Sequence, residues 1–186
     1  MDRDDSKEAV FERTKHVWPN VHNALLAGIE TAIYLHDCAG WHHEDDKHLY
    51  QHMIRRKAIE VYHDLKPAPG PGFGESDTTI LPMSGLILHL PDDVVRIWHI
   101  ATVNIPTPST PAKREFIDQP RSDQFPLWEE VSDEQQQSAQ NRLVLCWTVS
   151  DHKIERFQLV RPAGTKRTGK HVAVDWDIDL LERLPG

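Results

Sequence analysis

The residue types most able to do chemistry crowd between His36 and His52. Five histidines (His36, His42, His43, His48 and His52) and four acids (Asp37, Glu44, Asp45 and Asp46) fall in that stretch. Imidazole and carboxylate are ligands for divalent ions such as zinc and manganese. A helix that begins near Asp46 places His48 and His52 one turn apart on one face, where a single ion can bridge both rings. A loop ligand, His43 or Asp46, then completes three and leaves a position for water, which the metal acidifies toward neutral pH. The spacing predicts a divalent-metal site, zinc or manganese, at His43, Asp46, His48 and His52. Its chemistry would be that of a metal-dependent phosphodiester hydrolase or nuclease. The bland alternative is a polar, solvated corner between two helices.

Two known signatures fail in this stretch. The metalloprotease pattern His-Glu-x-x-His breaks at Leu49, which stands where the glutamate base belongs. The doublet His36-Asp37, at the end of an apolar run, is similar to the His-Asp pair of the HD phosphohydrolases. That family needs an earlier histidine, a later aspartate and an all-helical frame. Here the chain turns to strands, so no roles carry over.

A second candidate lies near the C-terminal end. Gly164 to Lys170 fits the letters of a phosphate-binding G-x-x-x-x-G-K loop, but His171 replaces the Ser or Thr that would hold magnesium. The residues after Lys170 alternate like a strand, whereas such a loop must open a helix. A P-loop is therefore rejected. The stretch is nonetheless basic: Arg161, Lys166, Arg167 and Lys170 follow one another with no acid between them. A loop from Pro162 to Lys170 could present these charges to an acidic partner surface, or to RNA or DNA. An ordinary solvated loop is the alternative.

The later half also carries His89, Arg96, His99 and His152. Strand alternation puts Arg96 and Trp98 on one face and Val95, Ile97 and His99 on the other. His and Arg on a sheet face can act as acid, base and charge stabiliser, but spacing alone gives them no mutual geometry. Trp41 and Trp128 sit in irregular segments, where an exposed indole would mark an interface. No nucleophile elbow or Cys/His pairing is present, and Cys38 and Cys146 both lie in apolar stretches.

The elements that must position these groups can be read from periodicity. Asp5 and Glu8 have capping-box spacing before Val10, Phe11, Thr14, Val17 and Trp18. Pro19 is expected to end that first helix. A second runs from about Asn20 to His36, with Gly28 allowing close approach of a neighbour and Gly40 as the stop. A third, capped by Asp45 or Asp46, puts Tyr50, Ile54, Ala58, Val61 and Leu65 on one face and Arg55, Arg56, Lys57 and Glu60 mostly on the other. Leu86–Leu90 and Val94–Ile100 form a hairpin across Pro91-Asp92-Asp93. Asn104–Pro111 reads as extended and polyproline-like. Arg142–Ser150 and Lys153–Arg161 form a second hairpin across Asp151-His152, the centre of the sheet. A last strand, His171–Trp176, precedes a short helical tail.

Of 186 residues, 21 are basic and 29 acidic, a net charge of −8 with His neutral. That balance disfavours general attraction to nucleic acid or membrane. The polar start and the lack of any apolar run near ~18 residues predict a cytoplasmic chain with no membrane partner. Helices precede strands, so the expected class is α+β, with three N-terminal helices packed on a mainly antiparallel sheet of about five strands. One domain is expected, with a helical segment over residues 1–66, a Pro/Gly-rich connector over 67–78 and a β-rich segment over 79–186. The function expected first is a macromolecule-binding module whose partner is another protein. The metal-dependent hydrolase and nucleic-acid binding through 161–170 come after it.

Overall fold

The computed structural model describes residues 4–42, 46–65, 78–81, 85–102, 104–118, 141–168 and 170–184, with backbone alone at 165–168. The expected connector, apart from Thr78, lies outside them, as do His43 and Trp128.

Helix α1 (Lys7–Thr14) is capped by Ser6, whose hydroxyl accepts from Ala9 N. Asp5, the expected cap, instead pairs with Arg13 and Arg161. Helix α2 (Trp18–Ala39) takes Pro19 into its first turn, where a missing N–H does no harm. Pro19 therefore helps to begin α2; it does not terminate the preceding helix. Gly40 closes α2 in the left-handed conformation, φ 68°. Helix α3 (Lys47–Leu65) is capped by Asp46, whose Oδ1 accepts from Leu49 N at 2.9 Å. A Cβ on Gly28 would fall on the Ile54 carbonyl oxygen, so glycine is what lets α2 and α3 approach.

Six strands form one sheet in sequence order: β1 (Thr78–Leu81), β2 (Gly85–His89), β3 (Asp93–His99), β4 (Asn141–Ser150), β5 (Lys153–Thr168) and β6 (His171–Asp179). All neighbours are antiparallel except β3 and β4, which run parallel. The sheet is thus mixed, with a strand more than expected. The β4–β5 turn holds Asp151 at φ 46° and its neighbour His152 at φ 63°, the left-handed pair that a two-residue hairpin needs. The expected loop 162–170 is mostly strand: β5 runs on to Thr168 and pairs with β6 through two register shifts.

Both faces of the sheet are covered. Leu143, Leu145 and Trp147 of β4 pack toward α1–α3 with Phe157 and Leu159. Val144 and Cys146, alternating with them, pack on the opposite side against Ile105, Phe116 and Ile117. A central strand buried on both sides reads as a continuous apolar run, as β4 does. The second cover is α4 (Pro111–Ile117), an element that apolar periodicity does not announce. Thr110 accepts from Lys113 N and Pro111 opens the helix. The extended segment before it is pinned to the start of β6, with Val172 N donating to Ile105 O and Thr107 N to Lys170 O.

Candidate anion-binding site

The histidine-rich stretch spreads out in three dimensions. His36 is 2% exposed, with its ring edge-on to Trp41 (5.9 Å) and Tyr50 (5.3 Å) and neither nitrogen hydrogen-bonded. Asp46 caps α3 and His48 is exposed. His52 is half-buried, one turn on, and its Nδ1 is buried without a partner. His43 lies outside the described residues. Among those residues no three His, Cys, Asp or Glu side chains converge in metal-binding geometry. Trp41 is 54% exposed, as are Tyr34 and Leu35 to comparable degrees.

The basic stretch is also divided. Arg161 Nη1 donates to the Asp5 carbonyl at 3.1 Å and Nη2 lies 3.5 Å from its carboxylate, which ties the N-terminal end of α1 to β5. Lys170 is exposed. The side chains of Lys166 and Arg167 lie outside the described atoms.

A different set of basic groups lies on the two faces of the sheet beside β3. Its members are Arg55 of α3, Arg96 and His99 of β3, and Lys113 of α4, all half-buried. Helix α3 sits in a corner and buries two faces. Ile54 meets Gly28 of α2, while Arg55, Ala58, Ile59 and Tyr62 line an apolar hollow with Leu86 and Ile97 of the sheet. Periodicity puts Arg55 on the solvent side; the second buried face draws it inward.

On the opposite side of the sheet Arg96 and Trp98 meet α4. The Arg96 guanidinium carbon lies 5.8 Å from the Trp98 ring centre and 5.8 Å from that of Phe116. Lys113 Nζ stands 4.7 Å from the Trp98 ring centre. These are cation–π distances, and a quadrupole partly replaces the water each cation has lost. His99 points to the helical side, edge-on to Trp147 at 4.8 Å.

The electrostatics show what these cations lack. Burial pushes His99 down to about 4, and the nearby charge of Arg55 adds to the effect. Lys113 is lowered by burial first, then by the charges of Arg96 and Arg55. Arg55 and Arg96 are both lowered by burial. Among the described residues no carboxylate forms an ion pair with Arg55, Arg96 or Lys113. Two donors near the cluster, Arg55 Nε and Trp147 Nε1, are buried with no hydrogen-bond partner. Donors and positive charge without an acceptor form a site suited to an anion. Burial holds the nearby Cys146 thiol protonated by raising its pKa to about 12.

The sequence held one sign of this site. Arg96 interrupts the apolar run Val94, Val95, Ile97, Trp98, and a charge inside such a run asks for a partner. Lys113 meets it only through tertiary packing, and Arg55 lies on the other face of the sheet.

No protein-family model, no curated protein and no solved structure matches the chain.

Proposed function

We propose that the chain is a binding module that docks an acidic segment of another protein on the half-buried cations Arg96 and Lys113 beside Trp98. The observation behind it is the group of half-buried cations that no described carboxylate neutralises. On a chain of net charge −8, acids to pair with them are plentiful, yet among the described residues the pairs are not made. Desolvated charge without a counter-charge destabilises a fold, and an incoming anion removes that penalty. Attraction at the rim would also speed encounter with an acidic surface.

Titration calorimetry with a poly-glutamate peptide tests this. Saturable binding is expected that weakens steeply with salt and is lost in Lys113→Glu, with the fold retained. No saturable binding at low ionic strength would contradict it.

The metal-dependent hydrolase remains a second proposal, supported by His52 Nδ1, a buried and unpartnered donor atom one turn from His48. Elemental analysis of untagged protein tests it. Stoichiometric zinc or manganese would support it. Substoichiometric metal, with melting unchanged by either ion, would contradict it.

A further inference from the structure

We infer that the hollow between α2, α3 and the sheet binds a small monocarboxylate with a short aliphatic chain, its carboxylate held by Arg55. The hollow lies on the other face of the sheet from Arg96 and Lys113, so it does not depend on the docking function proposed above.

The walls set the tail of the ligand. Arg55, Ala58, Ile59 and Tyr62 recur at helical spacing along one side of α3. Ala24 of α2, with Leu86 and Ile97 of the sheet, closes the same hollow. Ala24 and Ala58 are both buried, and two such small side chains, one from each helix, leave room between them. The open space is about 20 Å³. A buried water needs roughly 10–15 Å³ and 2–4 polar partners. Only Arg55 and Tyr62 among the lining residues carry polar side-chain atoms, so an aliphatic group suits this space better than water does. Its volume takes about one or two carbons, which selects a short chain.

Arg55 sets the head group. Its Nε–H is buried with no hydrogen-bond partner. The neighbouring cations of α3, Arg56 and Lys57, both pair with Glu60 on the exposed side of the helix, and among the described residues no carboxylate is left to Arg55. A buried donor without an acceptor destabilises the fold, and an incoming acceptor restores the bond. The planar fork of a guanidinium matches two carboxylate oxygens in one plane. One negative charge is enough. His99 shares the face of β3 that carries Ile97, and burial keeps it neutral at pH 7, with a pKa of about 4. A dianion would leave charge uncompensated beside apolar walls.

The intact chain with labelled methyl groups is titrated by NMR with butyrate, formate and butyramide, each against chloride at matched ionic strength. Butyrate should shift the Ile59, Leu86 and Ile97 methyl signals saturably. Formate lacks the chain and butyramide lacks the charge, so each should bind at least about tenfold more weakly. Arg55→Gln should weaken butyrate by a similar factor. So should Ala24→Val, which fills the hollow and leaves Arg55 in place. Urea unfolding first shows that each variant is folded. The three ligands are compared on the parent chain, which decides the matter even if a variant does not fold. Formate or butyramide bound as tightly as butyrate, or no saturable shift of those methyls with butyrate, would overturn the inference. A folded Arg55→Gln or Ala24→Val that binds butyrate like the parent would do the same.

Discussion

Arg13 donates from Nε and Nη2 to the two carboxylate oxygens of Asp93, at 2.7 and 2.8 Å, and only Asp93 is sealed from water. Their side chains are 22% and 1% exposed, and Asn141 Nδ2 donates to the same carboxylate at 2.9 Å. This cluster ties α1 to the N-terminal ends of the parallel strands β3 and β4. Asymmetric burial predicts an asymmetric response. Arg13→Met strands a buried carboxylate and should lower unfolding free energy by about 3–5 kcal/mol. Asp93→Asn leaves a cation that can turn to water and should lower it by roughly 1–3 kcal/mol. Urea unfolding of the two variants checks the order, and equal losses would contradict it.

Gly28→Ala separates intrinsic helix preference from packing. On an exposed helix surface alanine would stabilise by up to about 1 kcal/mol. At Gly28 the new methyl meets a backbone carbonyl, which cannot rotate away. The change should therefore destabilise by about 1–3 kcal/mol, read from the urea midpoint. A variant as stable as the parent would show that α2 and α3 are not in close contact there.

The pH dependence of stability should carry the mark of His99. Its folded pKa is about 4, below the ordinary 6.5, because of burial and then Arg55. Between these values the unfolded chain binds the proton more readily than the folded one. Stability is therefore lost as pH falls through this window. Solvent screening of the partly exposed ring reduces the contribution of this one residue at pH 5, relative to pH 7, to about 1 kcal/mol. Comparing His99→Phe with the parent at both pH values isolates it from the other histidines. The variant should lose less stability on acidification, and identical losses would contradict the burial of His99.

Much of the frame was legible in the sequence because it is governed by neighbours in the chain. The hairpin across Asp151-His152 follows from an apolar, β-branched run separated from the next run by two polar residues, and the left-handed φ values confirm the tight turn. Gly40 and Asp46 are local end signals and act as such. What was not legible depends on distant contacts. The parallel register of Val95 with Leu143 is set by how the chain crosses between β3 and β4, which periodicity does not record. Helix α4 follows a proline-rich segment that looks wholly extended until Thr110 caps it. The site was least legible, because Arg55, Arg96 and Lys113 come from three elements. The denser histidine stretch draws attention to residues such as His48, which the fold turns outward.

If the cations near β3 are kept for a ligand, they should work against the free protein. Urea unfolding of the parent and of Lys113→Gln, each with chloride alone and with phosphate at matched ionic strength, tests this most directly. The expected result is a variant at least as stable as the parent in chloride, because repulsion from Arg55 and Arg96 is relieved. Phosphate should stabilise the parent and do little for the variant. A variant clearly less stable in chloride, together with a parent indifferent to phosphate, would show that Lys113 serves the fold and that no anion belongs there.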